Sequence, residues 1–280
     1  VHPRNRYRDK HNFQELLHLE PGLAEFTITT PAGKTSLDFT ERKALLLLNR
    51  TLLRRDYRLR HWDVPEGHLV PPLPGRLDYI HALADLTDNP ETVLDIGTGA
   101  SLIYPVLGVM EYGWHFVGTD ISERAVKVAS AIARMNEPLK KYIVVRRQSD
   151  PGSIFRGVVR EGERYGATMC NPPFYESRGD AEAAGRKKWT KLGRQNSGLS
   201  FGGSDSELWT PGGERRFLRD MIRESPAFGS QIEWFTTLVS KRGYLDAAQS
   251  ELERVGAGEV RIIPMEQGNK KSRVLAWRFG

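Results

Sequence analysis

Thr92-Val93-Leu94-Asp95-Ile96-Gly97-Thr98-Gly99-Ala100-Ser101 decides the fold of this chain. The first five residues form a short, largely apolar run that reads as a buried strand, and the two glycines end it in a turn. Glycine at that point lets the backbone take tight-turn dihedrals and approach a ligand closely. Outward from the turn the pattern repeats. Residues 101–110 have helical spacing, stopped near Gly113; 114–119 form a second strand and 123–135 a second helix. A third strand falls at 143–145, a short helix at 154–159 and a fourth strand at 167–170. Beyond a long gap, 214–224 reads as helix, 232–239 as strand and 245–255 as helix, and 260–263 and 274–279 are strands with no helix between them. Strands alternating with helices predict an α/β fold with a mostly parallel seven-stranded sheet covered on both faces. The last two strands predict an antiparallel edge hairpin.

Residues 1–75 do not alternate in this way. Helical spacing at 13–19 and 42–53 flanks a small hairpin, 25–30 with 35–39, turning around Ala32-Gly33. The segment ends in Val70-Pro71-Pro72-Leu73-Pro74-Gly75, which is expected to be non-helical. A short amphipathic helix at 80–86 follows. The expected division is an N-terminal extension, 1–75, beside a main domain, 76–280, that carries a long polar loop at 175–212. A structureless loop of that length inside a compact domain is uncommon and often functional.

The chain has 280 residues, 39% hydrophobic and 27% charged, enough for one large domain or a domain with an extension. Its longest aliphatic run, 44–48, is far too short to span a membrane, and the basic, polar start holds no signal-peptide segment. A lone cysteine, Cys170, excludes an internal disulfide and fits a reducing compartment. A cytoplasmic monomer is expected. The net charge is +6 and the pI about 9.4. Its distribution is more informative: Arg4, Arg6, Arg8 and Lys10 crowd the first ten residues with Asn5 and Tyr7 between them. A second cluster, Arg178, Arg186, Lys187, Lys188, Lys191 and Arg194 with Trp189, lies in the long loop. Basic side chains mixed with aromatics suit a phosphate backbone and stacked bases, so RNA or DNA is the expected partner.

Three features fall at the ends of expected parallel strands, where open α/β sheets form their ligand crevice. The glycine turn is one; position 102 is Leu, which departs from the dinucleotide fingerprint. Asp120, 23 residues after Gly97, is placed to accept hydrogen bonds from both hydroxyls of a ribose, or else to cap the helix near Ser122. Third, Asn171-Pro172-Pro173-Phe174 follows the fourth strand. An Asn oxygen and a free carbonyl beside it can take the two protons of a planar amino group. The prolines fix φ and supply no competing N–H, and the aromatic ring offers a face for stacking. A turn opened by Asn-Pro is the plainer reading. No P-loop is present, and the seven histidines show no metal-ligand spacing, so neither ATP hydrolysis nor a metal is expected.

This order of motifs resembles the Rossmann-like class I methyltransferases that use S-adenosylmethionine, and the Asn-Pro-Pro-aromatic run is similar to that of enzymes methylating adenine N6, cytosine N4 or a glutamine amide. The resemblance extends to both ends of the chain. Arg4-Asn5-Arg6-Tyr7-Arg8-Asp9-Lys10, Arg76-Leu77-Asp78-Tyr79-Ile80-His81, Gly212-Gly213-Glu214 and Ser272-Arg273-Val274-Leu275-Ala276-Trp277 are similar to the bacterial large-subunit (23S) ribosomal RNA adenine-N6 methyltransferase family. That family has a eukaryotic relative acting on a small nuclear RNA and on messenger RNA hairpins. Phe201-Gly202-Gly203 and Glu207-Leu208-Trp209 look like the bacterial branch.

The resemblance implies S-adenosylmethionine as cofactor, held by Asp95, Gly97, Thr98, Gly99, Ser101, Asp120 and Asn171, with Arg76 on its methionine carboxylate and Gln148 near its adenine. It implies an adenine in RNA as substrate, with Asn171, Pro172, Pro173 and Phe174 as the catalytic clamp. Arg4, Asn5, Arg6, Arg8, Lys10, Arg186, Lys187 and Lys188 are the expected RNA contacts. The competing expectations are a small nuclear or messenger RNA hairpin as substrate, a protein glutamine-N5 methyltransferase with the same clamp, and a silent RNA-binding protein on the same scaffold.

Overall fold

The computed structural model describes all residues except 10, 11, 31, 32, 89, 178, 181, 184–207, 268 and 269. The chain opens with α1 (Phe13–Leu19), whose first turn is capped by the Asn12 side chain accepting from the Glu15 N–H. A 3₁₀ segment, Pro21–Phe26, leads into an antiparallel hairpin of β1 (Thr27–Thr29) and β2 (Thr35–Leu37), and then α2 (Arg42–Tyr57). The next helix, α3 (Leu73–Thr87), begins inside the proline-rich stretch expected to be non-helical. Pro74 sits in its first turn, where a missing N–H leaves no helical bond unmade.

The main sheet follows: β3 (Thr92–Ile96), α4 (Ile103–Tyr112), β4 (His115–Asp120), α5 (Glu123–Met135), a single turn α6 (Glu137–Lys140), β5 (Ile143–Arg147) and β6 (Tyr165–Cys170). After the long loop come α7 (Gly213–Glu224), β7 (Ile232–Val239), α8 (Gly243–Arg254), β8 (Glu259–Gln267) and β9 (Lys270–Arg278). The strand order is β5-β4-β3-β6-β7-β9-β8. β3 to β7 run parallel, while β9 is antiparallel to both β7 and β8, as expected from the missing helix before it. The order reverses between β3 and β6, and that switch point opens the crevice.

Period-two alternation explains the two core layers. Val93 faces one side with Leu77, Leu107, Phe116 and Trp234, and Leu94 faces the other with Phe155, Leu218, Phe235 and Trp277. The first layer also contains Tyr7, Leu16, Leu52 and Trp62, so one continuous core runs across position 75.

The helix expected at 154–159 is absent. Pro151, Gly152 and Gly157 (φ +85°) interrupt the segment, and Glu224 at the end of α7 supplies the acceptors a helix would have provided. Its carboxylate accepts from the N–H groups of Ile154 (2.7 Å), Phe155 (3.1 Å) and Arg156 (2.7 Å). Glu224→Ala leaves three amides without their anionic partner and is expected to cost about 2–4 kcal/mol of stability. Urea unfolding checks it; a midpoint equal to wild type would remove Glu224 as the anchor of this turn.

Candidate active site

Strand register builds the site. Ile96 pairs with Thr119 on one side and Cys170 on the other, and Asp120 pairs with Arg147. Gly97, Ile121, Gln148 and Asn171 therefore leave the sheet side by side at its carboxyl edge, across the switch point.

Gly97 and Gly99 both adopt positive φ (72° and 64°), the reason glycine occupies these positions. No atom lies within 4 Å of where a Gly97 Cβ would stand, so the turn borders open space. Thr119 O accepts from Gly97 N (2.9 Å) and Thr98 N (2.8 Å). Asp120 Oδ2 accepts from Gly99 N (3.0 Å), and Oδ1 from Ser122 N (2.8 Å). Ser122 in turn caps α5. Asp120 thus pins the glycine turn and the start of α5 together. Leu102, which replaces the third glycine, itself takes the left-handed conformation (φ 52°) while fully buried. Trp62, from the N-terminal part of the chain, donates its indole N–H to Ser101 O (2.8 Å).

Beneath the turn, Asp95 is fully buried and neither carboxylate oxygen has a hydrogen-bond partner; the buried Thr98 hydroxyl is likewise unpartnered. Burial raises the Asp95 pKa to about 7; the nearby Thr98 side chain tempers the shift, Asp120 adds to it and Arg76 opposes it. Arg76 projects from the start of α3. Its Nη1 donates to Tyr104 Oη (2.7 Å), its guanidinium carbon lies 5.3 Å from that ring, and its buried Nε has no partner. An orphaned carboxylate and an orphaned guanidinium N–H beside an open glycine turn fit a zwitterionic amino-acid group, which offers an ammonium to one and a carboxylate to the other. Asp120 fits a ribose diol. Gln148 departs from expectation: its Nε2 donates to Arg156 O (2.9 Å) and its Oε1 accepts from Asp150 N (2.9 Å). The amide braces the 148–157 turn, because that turn has no helix to satisfy its own backbone.

On the other side of the crevice, Cys170 ends β6 fully buried, and burial pushes its thiol pKa up, so it is no nucleophile. Pro172 is buried, while Asn171 and Phe174 are half-buried. Among the described residues the Asn171 amide and the Pro172 carbonyl form no hydrogen bond, which leaves both acceptors for a guest. Just beyond, Tyr175 and Trp209 pair as a short parallel bridge: Tyr175 N donates to Leu208 O (3.0 Å) and Thr210 N to Tyr175 O (3.0 Å). Gly213 (φ +60°) is forced to be glycine, since a Cβ would lie 2.7 Å from Glu176 Cγ. The buried Glu214 carboxylate accepts from the Ser240 amide (2.6 Å) and hydroxyl, joining α7 to the end of β7; burial raises its pKa.

The basic arm divides. Asn5 is buried, its amide donating to Pro74 O (2.8 Å) and Asp78 Oδ1 (2.6 Å) and accepting from Tyr7 N (2.8 Å). It is the strut that fastens the arm to α3, a correction to its expected place on RNA. Arg6 stacks on Tyr57 (4.5 Å) and pairs with Glu111 (2.8 Å). Arg4 pairs with Asp85 at the surface, and Arg8 is exposed beside Asp9 (3.8 Å). Lys10, Arg186, Lys187 and Lys188, with the rest of the basic loop cluster, lie outside the described residues. Among the described residues no group of side chains could hold a metal ion, and no helix is long and apolar enough to cross a membrane.

A glycine turn, a carboxylate at the end of β4 and an Asn-Pro-Pro-Phe run, set along the carboxyl edge of this seven-stranded sheet, are the arrangement of an S-adenosylmethionine-dependent methyltransferase. The comparisons agree. The whole chain, residues 1–280, matches the model of a family described as RNA methyltransferase, and it belongs to that family. It is 45% identical over its full length to ribosomal RNA large subunit methyltransferase F of Ectopseudomonas mendocina, covering 88% of that protein, and 46% identical to the same-named protein of Cronobacter sakazakii, covering 93%. Among solved structures it is similar to the hMettl16 catalytic domain in complex with MAT2A 3′UTR hairpin 1 (TM-score 0.87, 31% identity, all of this chain and 96% of that one). It is also similar to the N-terminal domain of human METTL16 in complex with SAH (TM-score 0.80, 28% identity, all of this chain and 99% of that one).

Two contributors escaped sequence reasoning. Trp62 gave no local signal of reaching Ser101. Tyr79 did: it stands three residues after Arg76, on the same face of α3.

Proposed function

We propose that this chain methylates the N6 amino group of one adenine in large-subunit (23S) ribosomal RNA, as a monomer in the cytoplasm. The observation that carries the reading is the pair of unengaged acceptors, Asn171 and Pro172, beside the cofactor turn. The names of its relatives support ribosomal RNA, and the hairpin held by the hMettl16 structure supports a folded RNA as substrate.

S-adenosylmethionine, when bound, supplies a methyl group on a positively charged sulfur. Arg76 and Asp95 take its amino-acid end and Asp120 its ribose. Phe174 stacks on an adenine that has left its helix, a cost of a few kcal/mol that is smallest in a loop or bulge. Asn171 and Pro172 take the two N6 protons and draw the nitrogen lone pair out of ring conjugation. Holding that lone pair in line with the methyl group supplies much of the acceleration. The bound cofactor would supply the methyl group for in-line displacement at that nitrogen, with its sulfur as leaving group, while Asn171 and Pro172 hold the two N6 hydrogens until the methylated, acidic ammonium would give one up to solvent. Nuclease digestion and mass spectrometry of ribosomal RNA treated with the protein should show N6-methyladenosine at one position. N4-methylcytosine, or methylation of a protein glutamine instead, would overturn the assignment.

In this reading residues 1–75 and the 175–212 loop flank the RNA. The surface pair Arg4–Asp85 contributes little, on the order of 1 kcal/mol or less, so Arg4 is readily exchanged onto a phosphate. Arg8→Glu is expected to weaken binding equally for all RNA sequences and to reduce the salt slope by about one. An unchanged slope in filter binding would take Arg8 off the RNA.

A further inference from the structure

We propose that Tyr79 and Tyr104 are positioning residues that join the cofactor's arginine to the base clamp, each by its hydroxyl and to one another by their rings. The inference rests on the adenine-N6 reading given above and deepens it.

The β6–β7 ladder ends early. Its register pairs are Tyr165↔Ile232 and Ala167↔Trp234, yet β6 continues to Cys170 and β7 to Val239. Past Ala167 the two strands are bridged by side chains. Thr236 N donates to Thr168 Oγ1 (2.9 Å), and Thr236 Oγ1 donates to Thr168 O (2.6 Å). The Tyr79 hydroxyl, fully buried, enters the same gap: it accepts from Cys170 N (3.3 Å) and, with the Thr236 proton already committed, donates to Thr236 Oγ1 (2.7 Å). On the β7 side, where the ladder has ended, the amide immediately before Asn171 meets a side chain of α3. This lets the chain turn out of the sheet at Asn171 while its departure point stays fixed.

The other end of the element is Tyr104, in the first turn of α4 just past the glycine turn. Its ring meets Tyr79 edge-on at 5.5 Å, and its hydroxyl accepts from Arg76 Nη1 at 2.7 Å. Tyr104 is 4% exposed, and burial raises its pKa to about 12, so it remains a neutral hydroxyl that aims the guanidinium. Arg76 and Tyr79 share one face of α3, which makes the helix a rigid bar between the two seats. Movement at the arginine is transmitted to Cys170 N, and a guest in the clamp steadies the arginine.

The test is tyrosine-to-phenylalanine exchange, which keeps each ring. Tyr79→Phe is expected to lower kcat ten- to fifty-fold with the Kd for S-adenosylmethionine, read by calorimetry, within two-fold of wild type. Tyr104→Phe is expected to weaken that Kd about ten-fold, and the two changes should be non-additive in kcat/KM. Thr236→Ser, which keeps the hydroxyl, should retain activity where Thr236→Val loses it; this pair decides the question if Tyr79→Phe does not fold. Wild-type kcat in Tyr79→Phe, wild-type cofactor affinity in Tyr104→Phe, or strict additivity would overturn the coupling. If the unmodified protein transfers no methyl group to RNA, the adenine reading fails instead, and the cofactor titrations still judge the Tyr104 half.

Discussion

Asn171→Ala is expected to reduce methyl transfer to RNA by 10²–10³-fold or more while leaving the affinity for S-adenosylmethionine within a few-fold of wild type. The magnitude follows from removing one of two preorganised partners aimed at charge that develops in the transition state, which typically costs about that factor. The retained affinity follows from geometry. In the proposed reading the cofactor's charged amino-acid end is met by Arg76 and Asp95 and its ribose by Asp120, on α3, β3 and β4, whereas Asn171 lies across the switch point, just after β6. The variant is also expected to fold normally, because the Asn171 amide forms no hydrogen bond among the described residues. Single-turnover kinetics and calorimetry together test this. A variant with full turnover would remove the clamp from the mechanism.

The second large effect concerns Asp95. A carboxylate whose folded pKa lies near 7, against roughly 3.9 in the unfolded chain, holds its proton in the native state after the unfolded state has lost it. The unfolded state then binds fewer protons, so the stability of the cofactor-free protein falls as pH rises from about 4 to 7 and levels off above that. The loss approaches 4 kcal/mol as an upper, order-of-magnitude figure. Asp95→Asn removes the titrating group. It should flatten this dependence and raise the melting temperature of the free protein at pH 8, yet weaken S-adenosylmethionine binding by a hundred-fold or more. Melting curves from pH 4 to 8 with and without cofactor measure both effects. An unchanged pH profile in the variant would show that another group governs it.

Much of this was legible in the sequence, for identifiable reasons. The parallel core reads cleanly because its strands are short apolar runs with clear breaks, Val93-to-Ile96 being closed by Gly97, and because helix lengths between them leave few topologies. The hairpin of β8 and β9 follows from the missing helix before β9. What could not be read was tertiary substitution of local structure. Residues 154–159 carry helical apolar spacing, but a carboxylate 70 residues away satisfies their amides in a turn. Val70 to Gly75 was expected to be non-helical because propensity alone does not say that a proline will fall in a first helical turn. Asn5 sits among arginines and was read with them, although its buried amide is engaged by Asp78, Pro74 and Tyr7. The site residues that match motifs lay at strand ends. Of those that brace them, Tyr79 stands three residues from Arg76 on α3, but Tyr104 and Trp62 act through a hydroxyl and an indole group on other segments, for which sequence spacing gives no rule.

The strand order has a consequence for synthesis. β9 follows β8 in the chain but lies between β8 and β7, bonded to both. While the chain is emerging from the ribosome, β8 has no strand to join, and the Phe235 ring lacks Trp277, on which it stacks at 5.6 Å in the finished core. The sheet closes only when β9 is released and inserts between its two neighbours. The strand that carries Thr236 is therefore held open on one side until translation has passed residue 278, so this half of the catalytic crevice is assembled last.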